Sequence, residues 1–239
     1  MLTLALESSA KTASAALFDG DKFLGQYFQA DGLTHSSTLL PMAEALLKNT
    51  GHAVRELGCV AVAHGPGSFT GLRIGMAAAK GLAWALDIAA VGVSTLEAMA
   101  YGGPDAEGAM LCCVMDARRS QVYNALFEIR GGKPERLCAD RAISIAELEA
   151  ELKTYPEKSW ILLGDGAQLC YNALDKDTLT LRLAPDGLRM QCARGVGLAA
   201  MGKPLAAADD LLPVYLRLSQ AERERQERMQ DNKKENERS

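Results

Sequence analysis

The chain has 239 residues, 48% of them apolar and 5% aromatic, with a formal net charge of −4 at neutral pH. That length admits one large domain or two of about 100–150 residues, and that apolar share can bury a core in either case. An acidic chain poor in aromatic rings lacks both the positive field that grips nucleic acid and the platforms on which single strands stack.

The N-terminal run Met1 to Glu7 reads as a strand; it is too short and too acidic for a signal peptide. A polar turn leads to a second strand at Ser14 to Asp19, and Asp19-Gly20-Asp21 turns into a third strand-like run from Phe23 to Gln29. A helix from about Ser36 to Lys48 presents Leu39, Leu40, Met42, Ala43, Leu46 and Leu47 as a broad apolar face. The apolar run Cys59 to Ala63 breaks into His64-Gly65-Pro66-Gly67-Ser68-Phe69-Thr70-Gly71-Leu72-Arg73-Ile74-Gly75, and a small-residue helical pattern follows from Leu72 to Leu86. Val91-Gly92-Val93 is a short strand, Ser94 caps a helix with Glu97 at the capping-box spacing, and Gly102-Gly103-Pro104-Asp105 marks a boundary. Beyond it come two strands between Met110 and Glu128, a Gly131-Gly132 turn, a third strand-like run from Glu135 to Ala139 and a helix at Ile145 to Lys153. A strand at Trp160 to Leu163 then ends in Gly164-Asp165-Gly166 ahead of a helix from about Ala167. A last helix near Ala193 to Met201 precedes Pro213-Val214-Tyr215-Leu216-Arg217 and a charged tail.

The segment of Gly65, Gly67, Ser68, Thr70, Gly71, Arg73 and Gly75 is the least expected by chance. A strand that breaks into glycines and opens a helix brings backbone N–H groups to a helix N-terminus, where anions bind in α/β proteins. It is neither a Walker loop nor GxGxxG, because the Lys and the spacing are absent. The plainer reading is a turn whose glycines take positive φ or let the helix pack close to the sheet. Both readings stand on spacing alone.

The two halves repeat. Ala16-Leu17-Phe18 recurs as Ala125-Leu126-Phe127, 109 positions later, and at that offset Glu7 and Asp116 each head a polar turn. The six cysteines, Cys59, Cys112, Cys113, Cys138, Cys170 and Cys192, include no CxxC pair. Several sit in apolar strands as small hydrophobes. With no apolar run near the ~20 residues of a membrane span, a reducing cytoplasm is the expected compartment.

The start Leu4-Ala5-Leu6-Glu7-Ser8-Ser9, the glycine segment, Met115-Asp116-Ala117-Arg118-Arg119-Ser120-Gln121-Val122-Tyr123 and Pro213 to Arg217 together resemble the TsaB family of bacterial tRNA threonylcarbamoyladenosine biosynthesis proteins. The resemblance covers about residues 1 to 217. It implies an α/β fold of two ribonuclease-H-like lobes, as in actin-like ATPases and sugar kinases, with mixed central sheets flanked by helices. The expected division is a first lobe over 1–103, a second over 104–190, and a segment over 191–217 that returns to the first lobe. Residues 218–239, a charged run, are expected to be a solvated helix or a disordered tail. The resemblance also implies a non-catalytic subunit that binds the catalytic paralogue TsaD together with TsaE, meets tRNA only through that complex, and pairs with itself when alone.

Read against such chemistry, the residues are eroded. His35 has Leu39 four positions on, so the His-x-x-x-His metal pair of TsaD-like proteins cannot form and no metal site is expected. His35 reads as a cap or a surface residue. Glu7, Ser8, Asp116, Gly164, Asp165 and Gly166 outline a degenerate nucleotide pocket, since the glycines of the phosphate hairpins are missing; no cofactor is required and nucleotide binding is weak at most. Arg118 and Arg119 either clamp a carboxylate or phosphate of a partner or pair with Asp116. Small residues in the second helix, and apolar ones in the first, suggest a helical interface built from Leu39, Met42, Leu46, Gly75, Ala77, Ala78 and Ala79. The alternatives are an independent actin-fold ATPase or phosphotransferase using Glu7, Asp116 and the Gly164-Asp165-Gly166 turn, and a metallopeptidase.

Overall fold

The computed structural model describes residues 1–217 apart from Leu33 and Pro156; the charged tail read over 218–239 lies outside the described residues. Strands β1 (Leu2–Glu7), β2 (Ala13–Asp19) and β3 (Lys22–Gln29) form an antiparallel meander. Helix α1 (His35–Asn49) then returns the chain to β4 (Leu57–Gly65), which lies parallel to β1. Helix α2 (Phe69–Leu86) leads to β5 (Ala89–Ser94), so the first sheet runs β3-β2-β1-β4-β5. Ser68 starts α2 by accepting the Gly71 N–H on its hydroxyl at 3.3 Å, and Asp87 in the left-handed region ends it.

After α3 (Thr95–Gly102) the plan repeats. Strands β6 (Met110–Asp116), β7 (Gln121–Arg130) and β8 (Lys133–Arg136) form the second meander, and β9 (Arg141–Ser144) adds to β7. Helix α4 (Ile145–Leu152), β10 (Ser159–Leu163), α5 (Ala167–Ala173) and β11 (Thr180–Leu183) complete a sheet of order β11-β10-β6-β7-β8. The short α6 (Asp186–Arg189) and then α7 (Ala193–Ala200) follow. Two sheets of the same mixed order, each flanked by helices, are the two ribonuclease-H-like lobes of the actin-like fold.

The inner strands are buried on both faces, which is why β1, β4 and β6 read as continuous apolar runs. One face of the first sheet packs Leu4, Leu6 and Val62 against Leu39 and Leu46 of α1 and Met76 of α2. Its other face packs Ala5, Phe18 and Ala61 against Val196 of α7. In the second lobe Cys112, Val114 and Leu126 face α4 and α5, while Leu111, Cys113 and Phe127 meet Leu96 and Met99 of α3. Helices α3 and α7 cross between the sheets so closely that a Cβ on Gly195 would lie 2.0 Å from the Ala98 carbonyl oxygen. The chain after α7 pairs Ala206 with Ala90, along the edge of the first sheet.

The repeat is not uniform. Leu17 and Leu126 share the outer-helix face of their sheets, as the 109-residue offset requires. On the first strands the same face is held by Leu4 and Leu6 but by Cys112 and Val114, one residue out of step. A slip of one inverts every side chain, so Glu7 and Asp116 leave their strands on opposite faces. The capping box read at Ser94 is half present: Ser94 Oγ accepts the Glu97 N–H at 3.2 Å, but the Glu97 carboxylate turns to Lys203 and Arg136. A reciprocal box occurs at α4, between Ser144 and Glu147.

Candidate functional site

The strand ends of both sheets point toward one cleft between the lobes. Its volume is about 390 Å³, and Ser9, Lys11, Ser68, Asp116, Arg118 and Asp165 are among its lining residues. The first-lobe wall is the β1–β2 turn and the glycine loop; the second-lobe wall is the β6–β7 turn and the turn after β10.

On the first wall the glycine loop and the β1–β2 turn pack directly on each other. A Cβ on Gly67 would lie 2.5 Å from the Ser9 carbonyl oxygen, and one on Gly71 would lie 2.1 Å from that of Ser8. On Gly75 it would lie 2.5 Å from Ser8 Oγ. The Ser68 N–H donates to the Ser9 carbonyl at 2.7 Å, and Ser8 Oγ–H donates to the Gly71 carbonyl at 2.9 Å. The missing side chains therefore make room for the neighbouring turn. Only Gly65 among these glycines takes a positive φ, of 130°. Thr70 and Arg73 are exposed on the first turns of α2.

Glu7 is wholly buried beneath this layer. Its Oε1 accepts the Ser9 N–H at 2.5 Å, while Oε2 finds no partner among the described residues. Burial raises its pKa to about 7, against the lowering pull of the Ser9 hydroxyl and N–H. Across the cleft, Asp116 Oδ1 accepts the Arg118 N–H at 2.7 Å, and its other oxygen lies 3.6 Å from the Arg118 guanidinium. Arg118, Arg119 and Ser120 all take the left-handed backbone conformation, with φ of 66°, 55° and 56°. The turn thus keeps the backbone of a glycine hairpin while carrying long side chains. Gly164 and Gly166 press on β6: a Cβ on Gly164 would lie 2.1 Å from the Val114 carbonyl oxygen. Asp165 Oδ1 accepts from Gln191 Nε2 at 3.0 Å, and burial raises its pKa.

His35 is half-buried, and its Nε2 lies 2.7 Å from the Ala10 carbonyl oxygen, so it ties the start of α1 to the β1–β2 turn. Among the described residues no three His, Cys, Asp or Glu side chains gather as a metal would need. Burial pushes the thiols of Cys59 and Cys170 up to about 11 and about 12, so both are packing groups. Of the residues read as a partner interface, Leu39, Leu46, Gly75 and Ala79 are buried inside the first lobe, facing the sheet. Ala77 is exposed, and Met42 and Ala78 are half-buried. Gly81 on the same outer face of α2 has nothing of the described residues within 4 Å of its Cβ position, and Leu40 is 46% exposed.

The segment over 191–217 is expected from the sequence to return to the first lobe, but not to border the cleft, which it does through Tyr215, Leu216 and Arg217. The Tyr215 ring packs on Phe69 at 4.6 Å between centroids, and the Arg73 guanidinium lies 3.8 Å from the Phe69 centroid. The motif Pro213 to Arg217 is the sequence signal for this, although nothing in it points to the cleft.

A family profile described as TsaD, tRNA N6-adenosine threonylcarbamoyltransferase, matches residues 32–194. The tRNA threonylcarbamoyladenosine biosynthesis protein TsaB of Bacillus subtilis is 34% identical over 93% of this chain and 96% of its own length. That of Escherichia coli is 30% identical over 91% and 95%. The chain belongs to the TsaB family. Membership associates it with the biosynthesis of threonylcarbamoyladenosine in tRNA. YeaZ from Pseudomonas aeruginosa superimposes with a TM-score of 0.76 at 25% identity, over 90% of this chain and 99% of that one. A Pseudomonas aeruginosa structure described as similar to peptidase YeaZ gives 0.73 at 26% identity over the same shares. No helix among the described residues is long and apolar enough to cross a membrane.

Proposed function

We propose that this chain is a non-catalytic subunit of the threonylcarbamoyl-transfer machinery, binding TsaD together with TsaE and meeting tRNA only through that complex. One observation carries the reading: the glycine loop packs on the chain's own β1–β2 turn, so that the Ser68 N–H is taken by the Ser9 carbonyl and the Gly71 N–H by Ser68 Oγ, where a phosphate-binding loop would leave such groups open. The acids are likewise engaged or buried. Glu7 lies under the turn, and Asp116 holds the Arg118 N–H. The lone His35 offers no second histidine for a metal, which argues against a peptidase role as well.

For a partner the chain offers the outer faces of α1 and α2. Ala77, Ala78 and Gly81 permit close helix approach, and on α1 Met42 packs half-buried against the same core cluster as Ala78. An exposed glycine in mid-helix costs about 1 kcal/mol relative to alanine, so its presence favours a role outside the monomer. On this reading the same face also serves self-pairing of the isolated chain. Compartment follows the expected chemistry: a tRNA-modifying subunit with buried thiols works in the cytoplasm. The test is formation of threonylcarbamoyladenosine in a reconstituted mixture with and without this chain. Dependence on the chain is expected; undiminished formation without it overturns the reading.

A further inference from the structure

We propose that residues 211–217 form a strap that seats in the glycine loop of the first lobe and hooks onto the second, holding the cleft closed along one side. Three independent contacts define it. At its start Leu211 is buried, and a Cβ on Gly92 would lie 3.0 Å from its side chain and 2.6 Å from the His64 ring. At its middle the Val214 N–H donates to the His64 carbonyl at 2.7 Å, and a Cβ on Gly65 would lie 2.2 Å from the Val214 carbonyl oxygen. At its end the Arg217 guanidinium donates from Nη1 to the Ala117 carbonyl, in the β6–β7 turn of the other lobe.

Gly65 is thereby explained. Its positive φ and its empty Cβ position both serve the strap, so the glycine loop is a seat for the chain's own C-terminal segment on this side. Between the two anchors Tyr215 stacks on Phe69, and Arg73 Nε–H donates to its hydroxyl at 3.3 Å. Tyr215 and Arg217 thereby join Ser68 and Phe69 in lining the cleft at the start of α2. The hook is a guanidinium on a backbone carbonyl, a charge-assisted bond that one residue controls.

Amide hydrogen exchange on the full chain and two point variants tests this. Val214→Pro removes the N–H that bonds His64 and should release the seat and the hook together. Arg217→Ala should release the hook alone. Exchange around residues 67–72 and 117–121 is expected to quicken about tenfold or more in Val214→Pro, and only around 117–121 in Arg217→Ala, with β1 and β6 unchanged in both. Native-like exchange in both variants overturns the strap. So does a uniform rise through β1 and β6, which makes the segment part of the global core. An effect of Val214→Pro with none of Arg217→Ala removes the bridge between lobes and overturns the proposal.

Discussion

Gly71 and Ser8 touch so closely that a Cβ added to the glycine would lie 2.1 Å from the serine carbonyl oxygen. Backbone cannot yield as a flexible side chain can, so this contact fixes the start of α2 against the end of β1. Gly71→Ala should destabilise the protein by about 1–3 kcal/mol through overpacking. For a chain of this size that lowers the melting temperature by roughly 2–4 °C per kcal/mol. An unchanged melting temperature would show that the two loops separate freely.

Gly81 gives the opposite expectation. Nothing among the described residues lies within 4 Å of its Cβ position. Gly81→Ala should stabilise the isolated chain by up to about 1 kcal/mol, since alanine is the better helix former. Thermal unfolding checks the sign.

The outer helix faces can be probed directly. Ala77→Arg leaves the monomer folded, because Ala77 is exposed. At an apolar interface the unpaired charge should cost about 3–5 kcal/mol, at least a hundredfold in affinity for TsaD. Leu39→Arg, by contrast, should unfold the first lobe, where Leu39 is 1% exposed. Calorimetry of binding, alongside circular dichroism, separates the two. Equal affinity of Ala77→Arg and the native chain would place the interface elsewhere.

Glu7 makes stability depend on pH. Its pKa rises from the usual 4.5 to about 7 on folding, so the folded state holds its proton more tightly. The stabilising contribution is complete below about pH 4.5 and is lost as pH rises through about 7. The two limits differ by about 3 kcal/mol at 1.36 kcal/mol per unit. Glu7→Gln should remove that slope and be the more stable protein above pH 8, provided its amide is tolerated. Parallel stability curves from pH 5 to pH 9 would contradict the buried neutral carboxyl.

Much of the fold was legible because long apolar runs leave little choice. Strands β1, β2, β4, β6 and β10 and the helices α1 and α2 all announce themselves by continuous or periodic apolar residues. Strands β9 and β11, four residues each and carrying Arg141 and Arg182, have too little pattern to be read; pairing with β7 and β10 makes them strands. The slip between the halves was invisible for a different reason. Glu7 and Asp116 align in the sequence, and only the packing of Val114 and Leu6 reveals which face each strand offers. At the site, spacing identified the glycines but not their neighbours. Whether a glycine admits a phosphate or a peptide depends on Ser8, Ser9 and Val214, which are distant in sequence.

Turnover in the reconstituted reaction tests the central claim most directly. Asp116→Asn and Glu7→Gln should each be added to TsaD and TsaE at concentrations where complex formation equals that of the native chain. A non-catalytic subunit predicts threonylcarbamoyladenosine formation within about twofold of native for both variants, whereas loss of a catalytic carboxylate costs a hundredfold or more, about 10²–10⁴ for general acid–base chemistry. A fall of that size with the complex intact would contradict the account and place chemistry in this chain.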